Sequence, residues 1–127
     1  MSRITEGGRR RNPAVHRMLR SFSDQESFHF CIDVERPTEE TAHSLAEFIS
    51  KVKTVDAASI GFHLRRGDFE RWFTDIIRDK TLSSRTAKIS RDMNDEELRV
   101  MVLNVAEKRY DELRRRDSSY TIEHANE

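Results

Sequence analysis

The chain has 127 residues, with 23 basic side chains against 23 acidic ones and a single cysteine. That length holds one domain, which buries roughly two-thirds of the surface its unfolded chain exposes, and one thiol rules out an intramolecular disulfide. No apolar run approaches the roughly 20 residues that cross a bilayer and none near the start reads as a secretory signal, so the expectation is a soluble, cytoplasmic chain with no membrane partner.

Charge is spread unevenly. Residues 1–20 carry six arginines against Glu6, a net +5, and the rest of the chain balances this at −5. Residues 1–24 therefore read as a flexible basic N-terminal arm. Within it Arg9, Arg10 and Arg11 offer a weak opening to nucleic acid. The stretch "ESFHFCIDV" at 26–34 alternates, with Phe28, Phe30, Ile32 and Val34 on one side and His29, Cys31 and Asp33 on the other. That is the period of a strand with one buried face. No second strand pattern accompanies it, so it is either an extended segment lying on helices or half of a sheet completed by another copy.

Pro37 closes the extended piece, and Thr38 suits an N-cap with Glu39 and Glu40 in the first helical turn. Leu45, Phe48, Ile49 and Val52 then give a narrow apolar stripe. Asp56 caps a short helix, "AASIGFHLRR", weakened by Gly61. Gly67 interrupts, and Asp68 caps the next helix, "FERWFTDIIRD", where Phe69, Trp72, Phe73, Ile76 and Ile77 share one stripe and Arg71 pairs with Asp75. Residues 81–90 read as a further helix through Leu82, Ala87 and Ile89. Asn94 with Glu97 starts the longest helix, which is expected to end near Arg116.

The apolar residues of that last helix span roughly 200° of its circumference, about twice what a surface helix needs. It is either central to the bundle or in contact with another chain. The fold class expected is mainly α: a compact bundle of four to five helices with one N-terminal extended or β segment. The helical domain covers residues 25–116, and residues 117–127 read as a disordered tail.

The densest chemistry lies in "FHLRRGDFERW", residues 62–72. On one reading it is a structural corner: Arg65 and Arg66 face the last carbonyls of one helix, Gly67 takes a positive φ, and Asp68 caps the next. On the other, His63, Arg65, Arg66 and Trp72 hold a small anion or sugar phosphate, because arginine grips such groups bidentately. Asp68 competes for those cations and counts against a site. Arg66, Gly67 and Asp68 also match a cell-adhesion tripeptide, which the capping role and the missing secretion signal discount. His29, Cys31 and Asp33 share a strand face, yet no second cysteine or spaced histidine pair completes a zinc set. No phosphate-cradling glycine loop is present. The helix after Gly67 is too acidic on its polar face to read DNA as a helix-turn-helix.

The segments "SFHFCID", "SLAEFISKVKTVDAASIGFHLRRGDFERWF" and the helix after them resemble a family of small prokaryotic, largely archaeal, domains of unknown function. The block carrying that likeness is of the FHxxRGDFExW type: Phe62, His63, Arg66, Gly67, Asp68, Phe69, Glu70 and Trp72, with Ser44, Leu45, Glu47 and Phe48 before it. The resemblance spans about residues 26–116. It implies an accessory or regulatory module, in some members associated with a carbohydrate-handling enzyme, and it brings no catalytic residues. The leading expectation is a non-catalytic interaction module without metal or cofactor, forming a homodimer through its long C-terminal helix. The alternative is the anion-binding domain centred on His63, Arg65, Arg66 and Trp72.

Overall fold

The computed structural model describes residues 12–126, with side chains through residue 117. Asn12 opens the fold. Its Oδ1 accepts the N–H groups of Ala14 (3.0 Å) and Val15 (3.4 Å), and Pro13 sits at the first helical position, where a missing donor costs nothing. Helix α1 (Pro13–Leu19) follows, and Val15 and Phe22 join the buried core. The flexible arm expected over residues 1–24 is corrected accordingly: from Asn12 onward the chain belongs to the domain. An Asn-Pro start ahead of an apolar residue was hidden by the surrounding arginines. Arg9, Arg10 and Arg11 lie outside the described residues.

A 3-10 turn (Asp24–Glu26) leads into β1 (Phe28–Asp33), which pairs antiparallel with β2 (Arg36–Ala42). The strand therefore has its mate within the chain, a partner the sequence reading did not find. Asp33 makes the turn: its carboxylate accepts the Glu35 N–H at 2.9 Å and the Arg36 Nε at 2.6 Å. Phe28 and Phe30 are buried as the alternation predicts, but Ile32 is only half-buried and Val34 is 77% exposed. Register shifts on either side of Cys31 break the alternation there.

Thr38 caps no helix. Its Oγ1 donates to Phe30 O at 2.6 Å, inside the hairpin. Helix α2 (Leu45–Thr54) starts later, where Ser44 Oγ accepts the Glu47 N–H at 3.0 Å and Glu47 Oε1 accepts the His43 N–H. His43 bridges two carboxylates, Asp24 at 2.7 Å and Glu47 at 2.9 Å, and the hydrogen bond to Asp24, followed by that to Glu47, raises its pKa. A group raised above its unfolded value contributes stability that is complete below pH 6.5 and lost as pH rises through the folded value. Melting temperatures measured from about pH 6 to 9 are expected to fall more steeply for the wild type than for His43→Gln. Parallel slopes would show that the bridge adds nothing.

Asp56 Oδ1 accepts the Ala58 N–H and opens helix α3 (Ala57–Arg66), which ends on Gly67 with φ +78°. Gly67 takes this left-handed conformation without the clash a Cβ brings. Helix α4 (Asp68–Trp72) passes directly into a π-helical turn (Phe73–Ile77) that stops at Arg78, whose φ is +66°. A non-glycine residue held there costs about 1–2 kcal/mol. Arg71 pairs with Asp68 rather than with the expected Asp75. Helix α5 (Lys80–Ala87) begins with Asp79 accepting the Leu82 N–H.

Helix α6 (Asp95–Asn126) starts at the expected Asn94–Glu97 box, with reciprocal bonds of 2.9 and 3.1 Å. Its 32 residues span about 48 Å, and it runs past the expected stop at Arg116 through most of the stretch read as a disordered tail. α6 packs against α1, α2, α3 and α5, so its wide apolar arc is explained first by its central place. Leu98, Val102, Ala106 and Leu113 form the buried stripe. Six α-helices occur among the described residues, slightly more than expected.

The core gathers around aromatic rings. Phe28, Phe30, Phe48, Phe69, Trp72 and Phe73 meet at centroid distances of 4.9–6.5 Å, in edge-to-face, tilted and stacked pairs. Each such ring contributes roughly 1.5–3 kcal/mol by leaving water. This cluster fixes where the hairpin, α2 and the corner at Gly67 meet.

Candidate functional site

His63 sits at the centre of that corner. It is 4% exposed, and its ring lies edge-on to Phe28 at 4.8 Å. Nε2 accepts the backbone N–H of Cys31 at 2.8 Å, so Nε2 carries no proton and Nδ1–H donates to Asp68 Oδ2, also at 2.8 Å. Burial pushes the His63 pKa below its ordinary value, outweighing the opposing pull of Asp68. The ring is a neutral strut that ties α3 to the hairpin.

Asp68 was expected to cap α4. It is instead the first residue of that helix and makes no capping bond. Its carboxylate turns back to His63 and also pairs with Arg66 Nε at 3.2 Å and with Arg71. Burial alone raises its pKa, but the hydrogen bonds from His63 and Arg71 outweigh this and hold it below the usual carboxylate range. The Arg66 guanidinium also lies over the Phe62 ring, 4.9 Å from its centroid.

Arg65 points elsewhere. It donates to Asp95 Oδ1 at 2.9 Å and to Met93 O at 3.0 Å, fastening α3 to the start of α6. Gly61 makes room for this pair: a Cβ there would stand 1.9 Å from Asp95 Oδ1 and 2.6 Å from Arg65 Nη1. The glycine that weakens α3 as a helix is thus what lets two helices meet. Trp72 is 6% exposed, and its indole Nε1 donates to Glu26 O at 2.7 Å. His63, Arg65, Arg66 and Trp72 share a neighbourhood, but only His63 and Arg66 meet, on Asp68 Oδ2, while Arg65 turns to Asp95 and Trp72 to Glu26 O. None of the four lines the clefts between α2 and α6 or between α1 and the π-helical turn.

Two features went unseen in the sequence. Arg109 and Asp79 form a buried ion pair at 2.8 Å, with side chains 8% and 1% exposed, and Glu112 joins Arg109 to Arg85. The signal was an arginine standing in the inward stripe of α6 between Ala106 and Leu113. The second feature is a cleft of about 460 Å³ between α2 and α6, lined by Ala46, Ile49, Lys53, Glu107, Tyr110 and Asp111. It opens because α2 presents only a methyl group at Ala46. Lys53 and Glu107 face each other across one rim at 3.4 Å.

His29 meets Ser27 and Thr41 on the outer face of the hairpin, and Cys31 is a half-buried free thiol. Among the described residues no group of three or more His, Cys, Asp or Glu side chains is placed to hold a metal ion. No described helix is long and apolar enough to cross a membrane. No family model, curated protein or solved structure matches this chain.

Proposed function

We propose that the chain is a non-catalytic interaction module that self-associates through α6, with the α2–α6 cleft as the joining face. The observation that carries this reading is what α6 keeps on its outer side after its inner stripe is buried. Val100, Leu103, Glu107, Tyr110 and Arg114 follow one another at spacings of three and four residues, one continuous outward stripe. Val100 is 54% exposed, and Leu103 and Tyr110 are half-buried against the core.

The rim chemistry supports a second copy as the occupant. A two-fold interface brings the same patch to both sides, so a cation on one protomer must find an anion on the other. Lys53 set against Glu107 and Asp111 across an apolar floor of Ala46, Ile49 and Tyr110 is such a self-complementary set. The polar residues of the corner, by contrast, are already engaged with one another, which weighs against a reaction centre there.

Sedimentation or light scattering over a wide concentration range tests the proposal. Wild-type chain is expected to approach twice its monomer mass as concentration rises. Ala46→Glu and Val100→Glu both fall at exposed positions. They are expected to weaken association at least about tenfold by setting like charges together, with melting unchanged. A strict monomer at high concentration, or variants that associate as the wild type does, removes the reading.

A further inference from the structure

We propose that a small cleft between α1 and the π-helical turn binds a phosphate monoester, gripped by Arg17, Arg20 and Arg78. The cleft has a volume of about 40 Å³ and is lined by these three arginines with Phe22, Ile76 and Ile77. Arginine pairing through the body of the domain makes the cluster stand out. From Arg36 to Arg109 each arginine has a carboxylate within 4 Å, with the one exception of Arg78. Among the described residues Arg17 and Arg20 have no carboxylate partner either. Carboxylates are plentiful, since residues 21–127 carry a net −5, yet among the described residues none pairs with these three arginines. Three exposed arginines lining one small cleft raise the positive potential there, which a bound anion relieves.

The backbone adds a second, independent observation. Arg78 stands in the left-handed conformation (φ +66°, ψ +44°) at the end of a π-helical turn, with its N–H donating to Phe73 O. π-turns and left-handed non-glycine residues gather at functional sites, where an inserted residue re-aims a side chain. Here the side chain so placed is the arginine that completes the cluster. Arg20 is held in turn: its guanidinium lies 4.4 Å over the Phe22 ring, and one of its donors goes to Ser21 O. Its remaining donors are left for a ligand.

Size and charge select the chemistry. The cleft is small, so a bound phosphate fills it and the carrier extends outside, along the half-buried Ile76. A monoester dianion matches three cations better than a carboxylate does and presents three strong acceptors to them. The site uses no residue of the α2–α6 cleft, so it stands or falls independently of self-association.

Nitrogen–proton NMR spectra of the full chain, recorded at constant ionic strength, provide the test. Glycerol 3-phosphate is expected to give saturable shifts of the Arg17, Arg20 and Arg78 Nε–H signals, and chloride none. Arg78→Gly keeps the turn, because glycine takes a positive φ freely, and is expected to weaken binding about tenfold; Arg17→Gln is expected to weaken it similarly. Affinity should also fall below about pH 6 as the ester dianion takes up a proton and becomes a monoanion. Shifts that never saturate, an equal response to chloride, or wild-type affinity in Arg78→Gly overturns the proposal. An inorganic phosphate titration settles the source: an ester bound at least as tightly supports the proposal, and an ester excluded while phosphate binds overturns it.

Discussion

Replacing Arg109 by methionine is expected to destabilise the domain by about 3–5 kcal/mol, the largest single effect among the polar residues. Asp79 is 1% exposed, and without Arg109 its carboxylate keeps only the Leu82 N–H as a partner. Water cannot reach it to make up the difference. Burial works against the Arg109 charge, but the bond to Asp79 outweighs that and raises its pKa. Adding Asp79→Asn to Arg109→Met should recover much of the loss, since asparagine still accepts the Leu82 N–H and carries no charge. Urea unfolding of the wild type and both variants checks this. A loss below about 1 kcal/mol for Arg109→Met would place the pair in the class of surface salt bridges and contradict its burial.

The second large effect is expected at His63. Leucine at this position keeps the volume but strips the Cys31 N–H and Asp68 of their partner, at a cost of about 2–3 kcal/mol. The pH dependence is the sharper signature. The His63 pKa is depressed in the folded state, so between that value and the unfolded 6.5 the unfolded chain binds more protons. Stability is therefore full above pH 6.5 and declines as pH falls toward the folded value. Protonation also turns Nε2 into a donor facing the Cys31 N–H, so the strut fails outright. Unfolding free energies measured downward from about pH 7 should decline in the wild type and decline less in His63→Leu. Equal slopes would mean that His63 is not held neutral.

Local capping was legible because its partners lie within a few residues. Asp56, Gly67 and the Asn94–Glu97 box each stand where the pattern puts them. Thr38 misled for the same local reason: a threonine followed by two glutamates suits a helix start and also a charged edge strand, and only pairing with β1 decides between them. Ser44 and Glu47 were the better start signal. The long-range partners were out of reach. His63 is bonded to a residue 32 positions away, Trp72 to one 46 away and Arg109 to one 30 away. No periodicity reports which carbonyl or carboxylate will meet a given side chain. The same limit applied to the candidate site: residue types suited to an anion stood close in sequence, and the fold tied them to Asp68, Asp95 and Glu26 O. The α2–α6 cleft and the arginine cluster arise from elements distant in the chain, so only the assembled domain displays them.

The hairpin has a consequence for how copies of this chain meet. Among the described residues β2 has β1 on one side and no strand on the other. A bare strand rim of this kind is a template for fibril growth. Here Pro37 lacks a backbone donor, and Glu35, Arg36 and Glu39 are exposed nearby, so in-register parallel stacking of identical chains sets like charge against like. Strand-on-strand aggregation is thereby disfavoured even in concentrated solution.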